Sequence, residues 1–263
     1  MSEDGRLIFH QRRSRLRPPL RPNDSIVAAY RGAIAGHGSH ALMLGITPEL
    51  TDIALQTTAV DISPGAVAHA WPGDTPARRV VQGDWLDMPL QRREFTAVIG
   101  DGSLSWISFA QYPRLFEHLG RLLLPGARLA IRLYETPEPG ETIAQVREAA
   151  MNGKIVGFHA FKWRLAMAIA SETGNTTLPV KRIHEAFGRQ FAQRAALSTA
   201  AGWTIDEIAE IDAYSGQDLV YYFPTRRELL AHLPSDFTDP RFIASGDYEL
   251  AERCPILVAD FRP

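Results

Sequence analysis

The sequence lacks most of the features that would set it apart from an ordinary folded protein. Its single cysteine, Cys254, excludes an internal disulfide and is typical of a reducing compartment. Lys and Arg number 28 against 30 Asp and Glu, and a formal net charge of −2 argues against general binding to nucleic acid or to a membrane surface. No apolar run approaches the roughly 20 residues that cross a bilayer, and the start lacks the pattern of a signal peptide. These absences predict a cytoplasmic protein with no nucleic-acid or membrane partner.

Two kinds of reactive site are also missing from the pattern. No His, Cys and Asp residues have the spacing of metal ligands, and there is no Gly-x-Ser-x-Gly turn of the kind that carries a hydrolase nucleophile. We therefore expect no metal. Cys254 precedes an apolar run, which favours a buried packing role for this residue.

Short apolar runs alternate with helical segments through the first half of the chain. A helix over 25–34, capped by Asn23 or Asp24, precedes them. Such alternation predicts βαβ units and a parallel sheet. The predicted strands are 41–45, 57–61, 78–82, 95–100 and 127–134, and the predicted helices between them are 48–56, 64–70 and 111–123.

The rhythm changes after Glu135, where a loop rich in Pro and Gly leads into about eighty residues of mostly helical composition. The pattern predicts an α/β core interrupted by a helical insertion and closed by two strands. Residues 1–23 form a basic, Pro-rich arm, interpreted as either disordered and surface-hugging or a lid. The later predicted elements are helices over 141–151, 158–172, 180–200 and 224–233 and strands over 237–243 and 255–261. The predicted core comprises 24–135 and 220–263, and the predicted insertion is 136–219.

The turn after the first predicted strand points to a class of ligand. A dinucleotide site needs three glycines there, so that the backbone can approach a pyrophosphate, but the segment Leu44 to Glu49 contains only Gly45. Glu49 adds negative charge where a phosphate would rest. The turn therefore favours a ligand with a nucleoside and a cationic amine but no phosphate.

Acidic residues follow the next three strands. Asp61 ends the second strand, where its carboxylate can accept hydrogen bonds from both ribose hydroxyls; the alternative is a helix cap, a role open also to Ser63. Asp84 can accept a hydrogen bond from an adenine amino group, with Trp85 packed beside the ring. The alternative is that Asp84 lies in a solvated turn and Trp85 belongs to the core. Asp101 follows the fourth strand near the point where the strand order is expected to reverse.

With these motifs the chain resembles the class I S-adenosylmethionine-dependent methyltransferases, in particular a subgroup with a Leu-Gly-x-Thr-Pro-Glu turn. The resemblance covers about 24–135 and 220–263. It implies a Rossmann-like, doubly wound, mostly parallel seven-stranded sheet with a terminal antiparallel hairpin, with the helical insertion roofing the substrate pocket. It also implies S-adenosylmethionine as cofactor and methyl transfer to a small-molecule acceptor. No Asn-Pro-Pro-Tyr motif for an exocyclic base amine follows the fourth strand.

The same resemblance assigns roles to single residues. Gly45 and Thr47 would contact the methionine part, Asp61 the ribose, Asp84 and Trp85 the adenine, and the stretch from Asp101 to Ser103 the space near the sulfonium. The chain departs from the family in its single glycine after the first strand and in Ala127. Arg17, Arg21 or Tyr30 are the candidates to replace the missing backbone contacts. The expected cofactor-binding set is Tyr30, Gly45, Thr47, Asp61, Ile62, Asp84, Trp85, Asp101, Gly102 and Ser103.

The sequence names no catalytic residue. Asp101, Tyr134, His159 and Tyr214 are candidates for a general base, with His159 better interpreted as a core histidine among aromatic residues. Two other functions stay open: a different use of the cofactor, such as intramolecular cyclisation to an azetidine amino acid, and a non-catalytic binding module. The retained acids after the strands weigh against the module.

Overall fold

The structure is a computed structural model that describes residues 16–90 and 93–263. Most of the predicted arm, including Arg12, Arg13 and Arg15, lies outside the described residues. The strands are β1 (His40–Leu44), β2 (Gln56–Asp61), β3 (Arg78–Gln82), β4 (Phe95–Asp101), β5 (Leu123–Arg132), β6 (Thr177–Pro179), β7 (Val220–Tyr222), β8 (Phe237–Ile243) and β9 (Ile256–Phe261). The helices are α1 (Asp24–Ala33), α2 (Pro64–His69), α3 (Tyr112–Leu122), α4 (Ile143–Met151), α5 (Phe158–Thr173), α6 (Val180–Gln190), α7 (Arg194–Ala201), α8 (Ile205–Ala209) and α9 (Arg226–Ala231).

Seven strands form one sheet in the order β3-β2-β1-β4-β5-β9-β8. Strands β1 to β5 run parallel, and β9 pairs antiparallel with both β5 and β8. The predicted fold class is confirmed: a doubly wound, Rossmann-like sheet closed by an antiparallel pair. Between β1 and β4 the strand order reverses, and in such sheets ligands bind beyond the carboxyl ends of the strands at this point.

Helices cover both faces of the sheet because successive side chains of a strand point to opposite sides. Leu42 and Leu44 of β1 belong to one buried cluster, together with Leu115, Phe116, Leu119 and Leu122 of α3. Ala41 and Met43 belong to the cluster on the other face, with α1. The backbone N–H of Ile26 donates to the Asn23 side chain, which caps α1 as one of the two predicted alternatives.

The predicted helix over 48–56 is wrong, because only one 3₁₀ turn forms, Pro48–Leu50. The N–H of Leu55 already donates to Gly38 O at 2.8 Å, and Gln56 N–H donates to Ser39 O at 3.1 Å. The backbone N–H groups of these two residues are therefore bonded to the β1 side of the sheet and are not available for a longer helix.

The predicted helix over 180–200 is two helices, α6 and α7. Phe191 leaves the helical conformation, with φ −132° and ψ 55°, and its ring is buried against Phe161 and Phe187. Burial of this ring thus ends α6. The structure also contains β6 and β7, an antiparallel pair that the helical reading of this region missed. Strands of three residues are too short to show a periodicity.

The insertion leaves and rejoins the core at adjacent points. Thr136 N–H donates to Pro224 O at 3.0 Å, and the Thr136 hydroxyl donates to Phe223 O at 2.8 Å. The predicted boundary at 219 precedes Pro224, and β7, which lies between the two, pairs with β6. The helices between these points bury one cluster rich in aromatic rings, which also includes Tyr134, Leu250 and Cys254. Within the described ranges no helix is long and apolar enough to span a membrane.

Candidate functional site

The strand register brings one glycine and two aspartates together at the carboxyl edge of the sheet. Leu44, the last residue of β1, pairs with Val60 on one side and with Gly100 on the other. The next residue along each strand is therefore Gly45, Asp61 or Asp101, and the glycine turn lies between the two carboxylates. This row stands at the reversal of strand order, where a ligand is expected.

The row opens into a cavity of about 580 Å³. Eight of the ten predicted cofactor residues line it: Gly45, Thr47, Asp61, Ile62, Asp84, Trp85, Asp101 and Ser103. Tyr30 and Gly102 are outside the lining. Among the described lining residues four are aspartates and none is Lys, Arg or His, so the cavity favours a ligand that carries positive charge.

Tyr30, one of the expected cofactor contacts, lies outside the cavity lining and bridges two backbone groups. Its hydroxyl donates to Gly100 O at 2.6 Å and accepts from the Arg132 backbone N–H at 3.0 Å. The side chain is fully buried, and burial raises the pKa of its hydroxyl well above the usual value. Tyr30 therefore joins α1 to the ends of β4 and β5 beneath the cavity.

Gly102 also supports the site from behind. Its φ is +67°, and a Cβ there would lie 2.4 Å from Cε2 of Tyr134. The residue must be glycine for the chain to turn away from β4 against that ring.

Neither Arg17 nor Arg21 lines the cavity; Arg21 Nε donates to Glu49 Oε1 at 2.6 Å. The N-terminal segment thus ties down the turn after β1.

Gly45 and Trp85 form one wall of the cavity. Gly45 has φ +87°, and a Cβ at this position would lie 3.3 Å from Cζ2 of Trp85 and 3.8 Å from Oδ2 of Asp61. The Trp85 indole N–H donates to Val60 O at 2.6 Å, and the Gly45 N–H donates to the same oxygen at 2.9 Å. The indole is therefore fixed against the glycine turn.

Ser63, and not Asp61, caps α2. The Ala66 N–H donates to Ser63 Oγ at 3.2 Å, while Asp61 Oδ1 accepts from the Ser63 N–H at 2.8 Å. The Asp61 carboxylate is thereby oriented at the cavity wall. Asp84 lies in an exposed turn, where Oδ1 accepts from the Leu86 N–H at 2.9 Å.

Asp101 is held by a buried arginine. Oδ1 of Asp101 lies 2.5 Å from Nε of Arg132, its cross-strand partner on β5, and the two side chains are 5% and 0% exposed. The other candidates for a general base are absent from the cavity lining. Burial raises the pKa of Tyr134 and of Tyr214 well above the usual value, and His159 is buried near Glu210 in the insertion core.

The family resemblance implied a roof from the insertion but assigned no single residue to it. Trp106, Ile107 and Gln111 come from 3₁₀ turns after β4, and the end of the insertion contributes four further residues. The Trp106 and Tyr221 rings meet edge to face at 4.6 Å, which joins the two parts. Of these residues only Tyr222 carried a sequence signal, as one of three consecutive rings. The insertion residues are Asp218, Leu219, Val220 and Tyr222.

Residues 35–131, which include β1 to β4 and nearly all of β5, match the model of a family described as a methyltransferase domain. No curated protein matches the sequence. Across the part of the chain that the structure describes, no three His, Cys, Asp or Glu side chains are grouped to hold a metal ion.

Solved structures share the fold of this chain at low identity. A Rhodobacter sphaeroides protein described as a Zn-dependent alcohol dehydrogenase has a TM-score of 0.58 and 11% identity, covering 99% of this chain and 98% of its own. Human N-acetylserotonin methyltransferase, solved with S-adenosylmethionine, has a TM-score of 0.55 and 13% identity, covering 100% and 57%. The methyltransferase SibL has a TM-score of 0.51 and 11% identity, covering 90% and 55%. At these identities the likeness establishes the fold alone.

Proposed function

We propose that this protein is an S-adenosylmethionine-dependent methyltransferase that acts on a small molecule. The observation that carries the proposal is the row of Asp61, Gly45 and Asp101 at the reversal of strand order, opening into one cavity. The matched methyltransferase domain supports it, because the row and most of the cavity floor fall within residues 35–131.

The residues of the cavity fit this cofactor. A nucleoside fits the side of β2 and β3, where Asp61 would accept hydrogen bonds from the ribose and Trp85 would pack beside the adenine. The cationic half would then lie over β1 and β4, beside Asp101. Gly45 leaves the space that a Cβ would fill, and the acidic lining matches a ligand with net positive charge.

The chain's own contribution to the reaction is alignment and exclusion of water. When bound, the cofactor supplies an electrophilic methyl group on sulfur. Orienting an acceptor against such a group lowers a barrier by about 7–11 kcal/mol in favourable cases. Trp106, Leu219 and Tyr222 would hold the acceptor and cover it from solvent.

The size of the cavity supports a small acceptor. A volume of about 580 Å³ lies within the usual range of small-molecule sites, and it is shared between the cofactor and the acceptor. The roof from the insertion favours an enclosed molecule over a polymer. A cytoplasmic location and the absence of a nucleic-acid partner belong to the same proposal and are based on composition.

One experiment separates the proposal from its alternatives. The full chain is incubated with S-adenosylmethionine, with and without a small-molecule cell extract, and products are identified by mass spectrometry. We expect S-adenosylhomocysteine together with a methylated extract compound, and only when the extract is present. Methylthioadenosine with a cyclic amino acid, formed without extract, would establish the cyclisation alternative. Calorimetric binding of the cofactor without either product would favour a binding module.

A further inference from the structure

Arg132 is a fully buried arginine whose guanidinium contacts four parts of the chain. Nε donates to Asp101 Oδ1 at 2.5 Å and Nη1 donates to the Tyr248 hydroxyl at 3.0 Å. Nη2 donates to Pro19 O at 2.7 Å and to the Tyr134 hydroxyl at 3.4 Å. Its side chain is 0% exposed, so Asp101 balances its charge and the neutral partners satisfy its other N–H groups.

Of these partners, Asp101 is the one that lines the cavity. The other contacts hold the guanidinium from behind: Tyr248 precedes β9, and Pro19 belongs to the N-terminal segment. The Tyr134 hydroxyl also donates to Pro19 O, at 3.0 Å. A planar guanidinium with donors in three directions meets these groups at once, which the single ammonium of lysine does not.

We propose that Arg132 is a positioning residue that holds the Asp101 carboxylate in place for the sulfonium half of the cofactor, with Pro19 and Tyr248 as its anchors. This inference rests on the proposed function. Asp61 and Asp101 flank Gly45 on opposite sides, so a nucleoside on Asp61 leaves the cationic half of the ligand to Asp101. A carboxylate fixed before binding stabilises such a charge without reorganisation.

A purely structural ion pair is the alternative, since buried pairs by themselves are weak indicators of stability or function. The two explanations differ in how they treat ligand charge. S-adenosylmethionine has a sulfonium and S-adenosylhomocysteine a neutral thioether, while the rest of the two ligands is the same apart from the methyl group. A positioned carboxylate changes the ratio of the two affinities, whereas a structural defect lowers both affinities together.

The test measures both dissociation constants by calorimetry for the full chain and for folded variants. Asp101→Asn and Arg132→Gln should each reduce the preference for S-adenosylmethionine by about tenfold, equivalent to ~1.4 kcal/mol. The double variant should match Asp101→Asn alone, because Arg132 acts through Asp101. The matched control is Arg128→Gln on the same strand, where Arg128 Nε lies 2.5 Å from Asp260 Oδ1 and neither residue lines the cavity. The ratio of the two dissociation constants in Arg128→Gln should equal that of the parent.

The outcomes separate this inference from the proposed function. If the parent binds neither ligand, the proposed function fails and the inference with it. If the parent binds both and the ratio is unchanged in Arg132→Gln, only the inference is overturned. Should Arg132→Gln not fold, Tyr248→Phe decides, because it removes the 3.0 Å hydrogen bond to Nη1 and keeps the ring. We expect its ratio to fall about threefold; an unchanged ratio there overturns the inference as well.

Discussion

The floor and the roof of the cavity are built in different ways. The floor consists of residues that follow strand ends, and the strand register alone brings Asp61, Gly45 and Asp101 together. The roof comes from short turns after β4 and from the end of an insertion whose helices bury a cluster rich in aromatic rings. The comparison indicates that the half proposed for the cofactor is fixed by the sheet, whereas the half proposed for the acceptor depends on how the insertion packs. The floor residues can therefore keep their positions when the packing of the insertion, and with it the roof, is altered.

The largest effect that we predict tests whether insertion stability is separable from cofactor binding. Phe161 is 0% exposed and packs against the rings of Phe158, Phe187, Phe191 and Trp203, none of which lines the cavity. Phe161→Ala should lower the free energy of unfolding by about 3–5 kcal/mol, because a ring is lost and a cavity remains. Urea denaturation provides the measurement.

The same variant should bind S-adenosylmethionine with nearly the parent affinity below its unfolding transition. Phe95→Ala is the matched control for the loss of a buried ring. Phe95 is also 0% exposed, but it belongs to β4 and packs on one face of the sheet, not in the insertion. A loss of cofactor affinity specific to Phe161→Ala would show that the floor depends on the insertion core, and would break the comparison.

The same contrast explains how far the sequence could be interpreted. The alternation of apolar runs with helical segments predicted β1 to β5. The acids after these runs and the glycine turn pointed to their shared carboxyl edge, and the family resemblance added the rest of the eight predicted residues that line the cavity. Tyr30 does not line the cavity, and a buried tyrosine that bridges backbone groups has the same sequence pattern as one that faces a ligand. Trp106 and Tyr222 could not be separated from core aromatic residues, since which side of a ring faces a cavity depends on packing between distant segments. The role proposed for Arg132 could not be predicted either, because its contacts come from distant segments.

The second prediction concerns the floor itself. Asp61→Ala should weaken S-adenosylmethionine binding by about 1–3 kcal/mol, because the ribose hydroxyls would lose their partner in a partly buried site. Calorimetry on the folded variant measures this. Asp52→Ala is the control: Asp52 is paired with Arg78 at 2.9 Å but its side chain is 71% exposed, so its loss should leave the affinity unchanged. Equal affinity in Asp61→Ala and the parent would remove the ribose assignment.

The third prediction compares two tryptophans with the same hydrogen bond in the two regions. Trp85 Nε1 donates to Val60 O at 2.6 Å on the cavity floor, and Trp203 Nε1 donates to Val156 O at 2.8 Å in the insertion. Replacing either with Phe should lower the free energy of unfolding by about 0.5–1.5 kcal/mol. Only Trp85→Phe should also change cofactor affinity, as measured by calorimetry. A similar affinity change in Trp203→Phe would contradict the separation of floor and roof.

The smallest predicted effect is a pH dependence at the end of β1 opposite the cavity. His40 Nε2 lies 3.0 Å from Thr58 Oγ1 and its ring lies 4.5 Å from that of Phe95. Desolvation lowers the pKa of His40 below its ordinary value of 6.5, outweighing the opposite effect of Glu94. The unfolded chain therefore binds more protons than the folded chain just below pH 6.5, so the free energy of unfolding decreases as pH falls through that value and levels off below the folded pKa. Urea midpoints at pH 7.5 and 5.5 should show this decrease, and His40→Gln should reduce it.

Because His40 lies at the amino end of β1, cofactor affinity in His40→Gln should match that of the parent at both pH values. A change in that affinity would mean that the floor responds to the whole strand and is not set by the residues at its carboxyl end.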